Sequence, residues 1–474
     1  RTLRTATFRA VWRSPGPSAL DLVFELLVPW RCDPGFLACT KPLLALRTGL
    51  LHGTIPGDRI AAIWAIKDAC RRLAITLDPL TWTIAGDKVL SLVSTPLAQL
   101  TSFLGRAWFA SRRAVLCALR PALAYLEHGI DHYAFRTASR TLPSEARKAA
   151  LRVLAVDGSI TQSRASNWVP GGKLCPHCRL EDETIYHRLW KCPAWDRTRA
   201  LHLKDWTETG LRAALPGPTL LSGVLPVKAH LAAAQPHAEL PIALPAPQHL
   251  SGTAYCDGSC LHPTDPWLAR ATWAVATSSA SARRWVTLAA QRVSGTQTVG
   301  RAELSALVWL THCTGNFRVV TDCLYLQLRF EKLRHSPMPP HWKEGVNGDL
   351  WRLVQRTDLV DWIPSHLTVE EAVERGHDAT DWAGNCAVDV AAGQLADQID
   401  SAPVIVHQRE HQVLALTVVH SVIAAVEEAV LCVHHDPKHP IAKRRKRRQR
   451  LVLRRPKRRA RPRPAPTVPA PVLY

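Results

Sequence analysis

Residues 251–400 predict an α/β fold, a mixed five-stranded sheet flanked by helices, preceded by a helical region and a small cysteine- and histidine-bearing unit. Three observations carry this expectation. The pattern changes to strands at 251. Three strand-like runs then follow one another, separated by breaks. From about 300 the pattern becomes helix, strand, helix, strand and helix, which builds a mixed sheet with helices on its faces.

The first strand is "TAYCDGS" (253–259), with Asp257 inside it. Aspartate is disfavoured in strands, so the position has two readings. Asp257-Gly258 ends the strand early in a turn, or the strand delivers a metal ligand. "ATWAVATSS" (271–279) and residues 284–293 complete three consecutive antiparallel strands. A helix is expected at about 300–313, with Leu304, Leu307 and Leu310 on its apolar face, and then a buried strand "FRVVTDC" (317–323) and further helix. The last strand is "LVDWIPSH" (359–366), followed by a loop and a final helix near 381–397.

Around this core the chain divides further. Residues 1–130 read as a helical region with runs such as "RIAAIWAIKDACRRLAI" (59–75), and 131–200 as a zinc-binding region. Residues 201–250 have the proline-rich composition of a linker. Residues 401–436 read as a helical extension whose apolar run, 412–433, is broken by His420, Glu427 and Glu428. That interruption favours a packed amphipathic helix over a membrane span. Residues 437–474 form a basic, proline-rich tail expected to be disordered.

"CPHCRLEDETIYHRLWKCP" supplies Cys175, Cys178, His187 and Cys192. Zinc favours four tetrahedral sulfur and nitrogen ligands, and a C-x2-C turn presents two thiolates to one ion without strain. The expectation is structural Zn2+, since four protein ligands leave no open position, with His177 as bystander. The other reading is three reduced cysteines and a surface histidine.

Four carboxylates stand out: Asp257 in the first strand, Glu303 in the first turns of a helix in "QTVGRAEL", Asp322 at a strand end in "VVTDC" and Asp389 in the last helix in "GNCAVD". Singly, each has a plain reading as a cap, a helix former or a solvated residue. Together, in this order on these elements and with "WIPSH", they resemble the type 1 ribonuclease H family over about 251–397. The resemblance implies a ribonuclease H-like fold. It also implies that Asp257, Glu303, Asp322 and Asp389 hold two Mg2+ ions, or Mn2+, and that His366 assists product departure. The expected activity is endonucleolytic hydrolysis of the RNA strand of RNA–DNA hybrids, with the 2′-hydroxyl distinguishing RNA from DNA. The sequence departs from compact bacterial members in the 22 residues between His366 and Asp389, where His377 competes for the role of His366.

A zinc-binding region followed by such a domain is similar to the C-terminal part of a non-LTR retrotransposon polyprotein. Residues 1–130 would then be a remnant of the reverse transcriptase thumb. No Tyr/Phe-x-Asp-Asp stretch occurs, so polymerase activity is not expected. The chain starts at Arg1 and its only methionine is Met338, which suggests a fragment of a longer product, with an organellar transit segment over the first twenty residues as the other reading.

The formal charge is +21, and fourteen basic residues with no acid between Lys443 and Arg463 supply two thirds of it. Such a block suits a polyanion and implies nucleic acid as partner and the nucleus as location, although low-complexity readthrough past a decayed element would look the same. The 13 cysteines, without a secretory segment, are expected as thiols or metal ligands. The competing functional reading is a catalytically inactive nucleic-acid-binding remnant acting through the zinc unit and the tail.

Overall fold

The computed structural model describes residues 34–52, 59–86, 89–155, 158–167, 172–227, 242, 244–279, 284–355, 360–401 and 403–435. The basic tail and the first twenty residues lie outside them. In the N-terminal part, helices α1 (Pro34–His52), α2 (Arg59–Leu73) and α3 (Leu97–Leu119) close around Leu43, Leu73, Leu100 and Phe103. Between α2 and α3 lies an antiparallel sheet of β1 (Thr76–Asp78), β2 (Thr83–Ala85) and β3 (Val89–Ser91). A purely helical reading missed it, because three-residue strands are too short for alternation to register.

The next part holds α4 (His132–Arg140), α5 (Glu145–Ala155), the cysteine loops and α6 (Asp196–Leu203). Asp131 caps α4, its side chain accepting from Ala134 N at 2.9 Å. The stretch expected as a linker is folded over 201–227, which corrects that expectation: short helices Glu208–Ala214 and Gly217–Ser222 bury Leu211, Leu215, Leu220, Val224 and Leu225. Two of the prolines that suggested a linker sit at a helix start, where Pro216 precedes the helix and Pro218 lies in its first turn. There proline's missing N–H costs nothing.

The α/β unit is built on β4 (Gly252–Leu261), β5 (Arg270–Ser279), β6 (Arg284–Arg292), β7 (Phe317–Thr321) and β8 (Val360–Trp362), in the order β6-β5-β4-β7-β8. β4, β5 and β6 pair antiparallel, and β7 and β8 join β4 in parallel, so the sheet is mixed. Alternation assigns the two faces. Ala254, Cys256, Trp273 and Val275 pack towards α7 (Val299–His312), and Tyr255, Ala274, Ala276 and Val320 pack with Val388 and Ala392 of α10 (Ala379–Gln398). α8 (Leu324–His335) follows β7, and α9 (Val369–Glu374) precedes α10. β4 does not end at Asp257. Asp257 pairs with Ala274 and the ladder continues to Leu261, so the early-turn reading falls.

Helix α11 (Pro403–His435) leaves the α/β unit and returns to the preceding part. Its Ala415, Leu416, Val419, Val422, Ile423 and Val426 share one core with Leu123, Phe135, Leu151 and Leu189. By length and composition it would also reach across a bilayer. In this fold its apolar side lies on α4, α5 and α6.

Candidate functional site

Parallel register brings the first two carboxylates level. Cys256 of β4 pairs with Thr321, the last residue of β7, so the next residues, Asp257 on β4 and Asp322 just past β7, come level. Glu303 comes from the other side of the sheet, in the first turns of α7. That helix starts at Thr298, whose hydroxyl accepts from Arg301 N at 3.3 Å. Arg301 is buried and pinned by Asp349, with Nη1–Oδ1 at 2.9 Å, and by the Ser294 carbonyl at 2.6 Å. Gly258 makes the approach possible: a Cβ there would lie 2.5 Å from Glu303 N and 2.7 Å from the Ala302 Cβ. The missing side chain lets α7 touch β4 where Glu303 passes towards Asp257.

Asp257, Glu303 and Asp322 each offer a carboxylate oxygen, all within 4.8 Å of one another. Burial, then the Asp322 charge, pushes Asp257 up to about 7. Glu303 is held well above the usual carboxylate range by burial and by Asp257, and Asp322 is raised by burial and by Asp389. The Glu303 Oε2 is buried without a partner. Three crowded oxygen acids with an orphaned oxygen fit a hard divalent cation such as Mg2+, whose charge would offset their mutual repulsion.

The fourth acid stands apart. Asp389 on α10 is exposed and outside the 4.8 Å group, yet near enough for its charge to raise both Asp257 and Asp322. His366 lies in the exposed turn after β8, with φ +57°, and its charge lowers the Asp322 carboxyl. His377 is set against the edge of Trp362, ring centroids 6.2 Å apart. One residue of this site was not foreseen. Asn385, a helical turn before Asp389, is buried, donates to Asp322 and leaves its Oδ1 unpartnered. Its signal was the Gly-Asn of "GNCAVD". Gly384 lets α10 settle on the Tyr255 ring, which a Cβ would meet at 2.5 Å, and that contact delivers Asn385 to the cluster.

The second cluster gathers Cys175, Cys178, His187 and Cys192, their ligand atoms within 4.8 Å of one another. Cys175 Sγ and Cys192 Sγ are 3.7 Å apart, and Cys178 Sγ and His187 Nε2 are 3.3 Å apart. Tetrahedral zinc with sulfur at ~2.3 Å sets ligand separations of about 3.8 Å, so the set fits that ion. A reverse turn after Cys175, with Arg179 at φ +62°, presents the first pair. A π-helical turn, His187–Lys191, brings Cys192 N to the His187 carbonyl at 2.6 Å. Glu181 Oε2 holds His187 Nδ1 at 3.0 Å, leaving Nε2 to face the thiols. Burial pushes Cys192 up to about 12, whereas Cys178, with burial opposing, is brought down to about 7 by the Leu180 N–H and His187. His177 is outside the group and packs on Trp195 at 4.8 Å. Among the described residues every cysteine is free of disulfides.

No protein-family model matches the chain, and no curated protein matches it.

Proposed function

We propose that residues 251–400 form a ribonuclease H-like domain that hydrolyses the RNA strand of RNA–DNA hybrids, in a chain derived from a non-LTR retrotransposon polyprotein. The observation that carries this reading is the convergence of Asp257, Glu303 and Asp322 from three elements to within 4.8 Å. When bound there, Mg2+ or Mn2+ would activate water and stabilise the departing oxygen. The chain's own part is to hold Asp257 and Asp322 level across β4 and β7, to seat Glu303 through the gap at Gly258, and to fix Asp322 through Asn385. Asp389, exposed beside the cluster, would complete the acidic surround, and His366, in its exposed turn, would assist product departure. The cysteine cluster is read as a structural zinc site that steadies the preceding unit.

The test is cleavage of a hybrid labelled on the RNA strand, with and without Mg2+ or Mn2+, by the full chain and by Asp322→Asn. Metal-dependent cleavage by the wild type, and a loss of a hundredfold or more in the variant, is the expected result. One observation favours the second reading, a binding remnant that cuts nothing: Asp389 is not drawn into the tight group. Hybrid binding without cleavage, by a chain that takes up zinc but no magnesium, would establish that reading instead.

A further inference from the structure

The zinc unit is split by the α/β unit. Its core combines residues 116–225 with α11, which the chain reaches only after the α/β unit is complete. Two buried ionic clusters fasten the parts. The first begins one residue past a ligand of the cysteine cluster: Arg188 donates to Glu183 at 2.9 Å, to Ser159 Oγ at 3.1 Å, to the Ile160 carbonyl at 2.8 Å and to Glu427 of α11 at 3.2 Å. Ser159 Oγ closes the ring onto Glu427 at 3.0 Å. Arg188 is 3% exposed and Glu183 1%, so neither charge has water to fall back on. The second cluster is Arg409 of α11, which donates to Asp131 of the zinc unit and, at 2.7 Å, to Asp265 in the β4–β5 connection.

We propose that metal binding at Cys175, Cys178, His187 and Cys192 is thermodynamically linked to docking of α11, so that the metal site fastens the end of the α/β unit into the zinc unit. The proposal rests on reading that cluster as a zinc site. The metal fixes His187 and hence the π-helical turn that carries Arg188. Arg188 in place gives Glu427 its partner. Without it, a buried carboxylate on α11 faces only Ser159, and an unpaired buried charge is expelled together with the element that carries it. Linkage runs both ways, so a weakened α11 contact must weaken zinc binding by the same factor.

The experiment compares the full wild-type chain with Glu427→Gln and with Glu428→Gln. Glu428 sits next on the same helix but pairs with Arg147 of α5, away from the cysteine loops. Zinc affinity is measured by chelator competition, and hydrogen exchange over 403–435 is followed as zinc is removed from the wild type. Expected are a roughly tenfold weaker zinc affinity for Glu427→Gln, no more than a twofold change for Glu428→Gln, and faster exchange in α11 on zinc removal while β4 and β5 stay protected. Equal affinities for the two variants, or α11 exchange indifferent to zinc, overturns the linkage while leaving the zinc site standing. If Glu427→Gln does not fold, the wild-type exchange measurement decides alone. A wild-type chain that takes up no zinc overturns both the site and the linkage.

Discussion

Gly258 occupies the point where α7 and β4 come nearest, and no other residue fits there without moving one of them. Gly258→Ala pushes its methyl into Glu303 N at 2.5 Å. Overpacking of this kind costs about 1–3 kcal/mol, and the displacement falls on Glu303 itself. The expected result is a folded protein, with a melting temperature several degrees lower, that needs much more Mg2+ for half-maximal cleavage. Asp257 supplies a prediction of opposite sign. Its folded carboxyl titrates at about 7, whereas in the unfolded chain it ionises near the ordinary value of about 3.9. Between those values unfolding releases a proton, so metal-free stability falls as pH rises through the window and is lowest above 7. Asp257→Asn should therefore raise the melting temperature at pH 8 without metal, while abolishing cleavage. A variant no more stable than wild type under those conditions would contradict the crowding of the acids. The residues of this cluster differ in how openly the sequence declares them. An aspartate in mid-strand is conspicuous. Asn385 is less so, because its one local mark is the glycine before it, which tells of close helix packing and not of a carboxylate beyond it, and Glu181 behind His187 follows no fixed spacing.

At the scale of the elements, the strands of the α/β unit were legible because alternation and turn residues are local signals, and β4, β5, β6 and α7 lie where those signals put them. The partner of α11 was not legible. A run of apolar residues says that a helix face is covered, never by which part of the chain. His420 records the answer. It is wholly buried in α11, its Nε2–H donates to the Gly223 carbonyl at 2.7 Å, and its ring lies edge-on to Phe135 at 5.0 Å. Nδ1 is buried with no acceptor for a proton, and burial brings the imidazole down to about 4. The unfolded histidine takes its proton near 6.5, so stability is lost as pH falls from there towards 4, to a total of about 3 kcal/mol. Thermal melts at pH 7.5 and pH 5 should show this loss in the wild type and a smaller one in His420→Gln. Acidification thus pulls the two units in opposite directions, since the same change relieves the carboxylate cluster.

Across the whole molecule, the N-terminal part is tied to the α/β unit through Glu344. Its carboxylate accepts from Arg47 Nη2 and from Leu97 N, both at 2.7 Å, and from Arg352 at 2.6 Å. Arg47 is 4% exposed at its side chain, so Glu344→Ala leaves a buried cation short of its counter-charge, at a cost of about 2 kcal/mol. Hydrogen exchange at the start of α3 should rise in that variant while β4 stays protected. The charge of +21 gives a prediction at this scale as well. Hybrid affinity should fall steeply and linearly on a log–log plot against salt, and a chain lacking 437–474 should give a shallower slope.

The order in which the chain is made adds a consequence of the split core. Residues 116–225 leave the ribosome early, but Leu123, Phe135, Leu151 and Leu189 have no lid until α11 has been synthesised. At ~5–20 residues per second that interval is on the order of ten seconds or longer, and the whole α/β unit is synthesised within it. Through that time a greasy half-core stands open beside a finished neighbour. A chain truncated just before α11 should therefore aggregate although its α/β unit is complete.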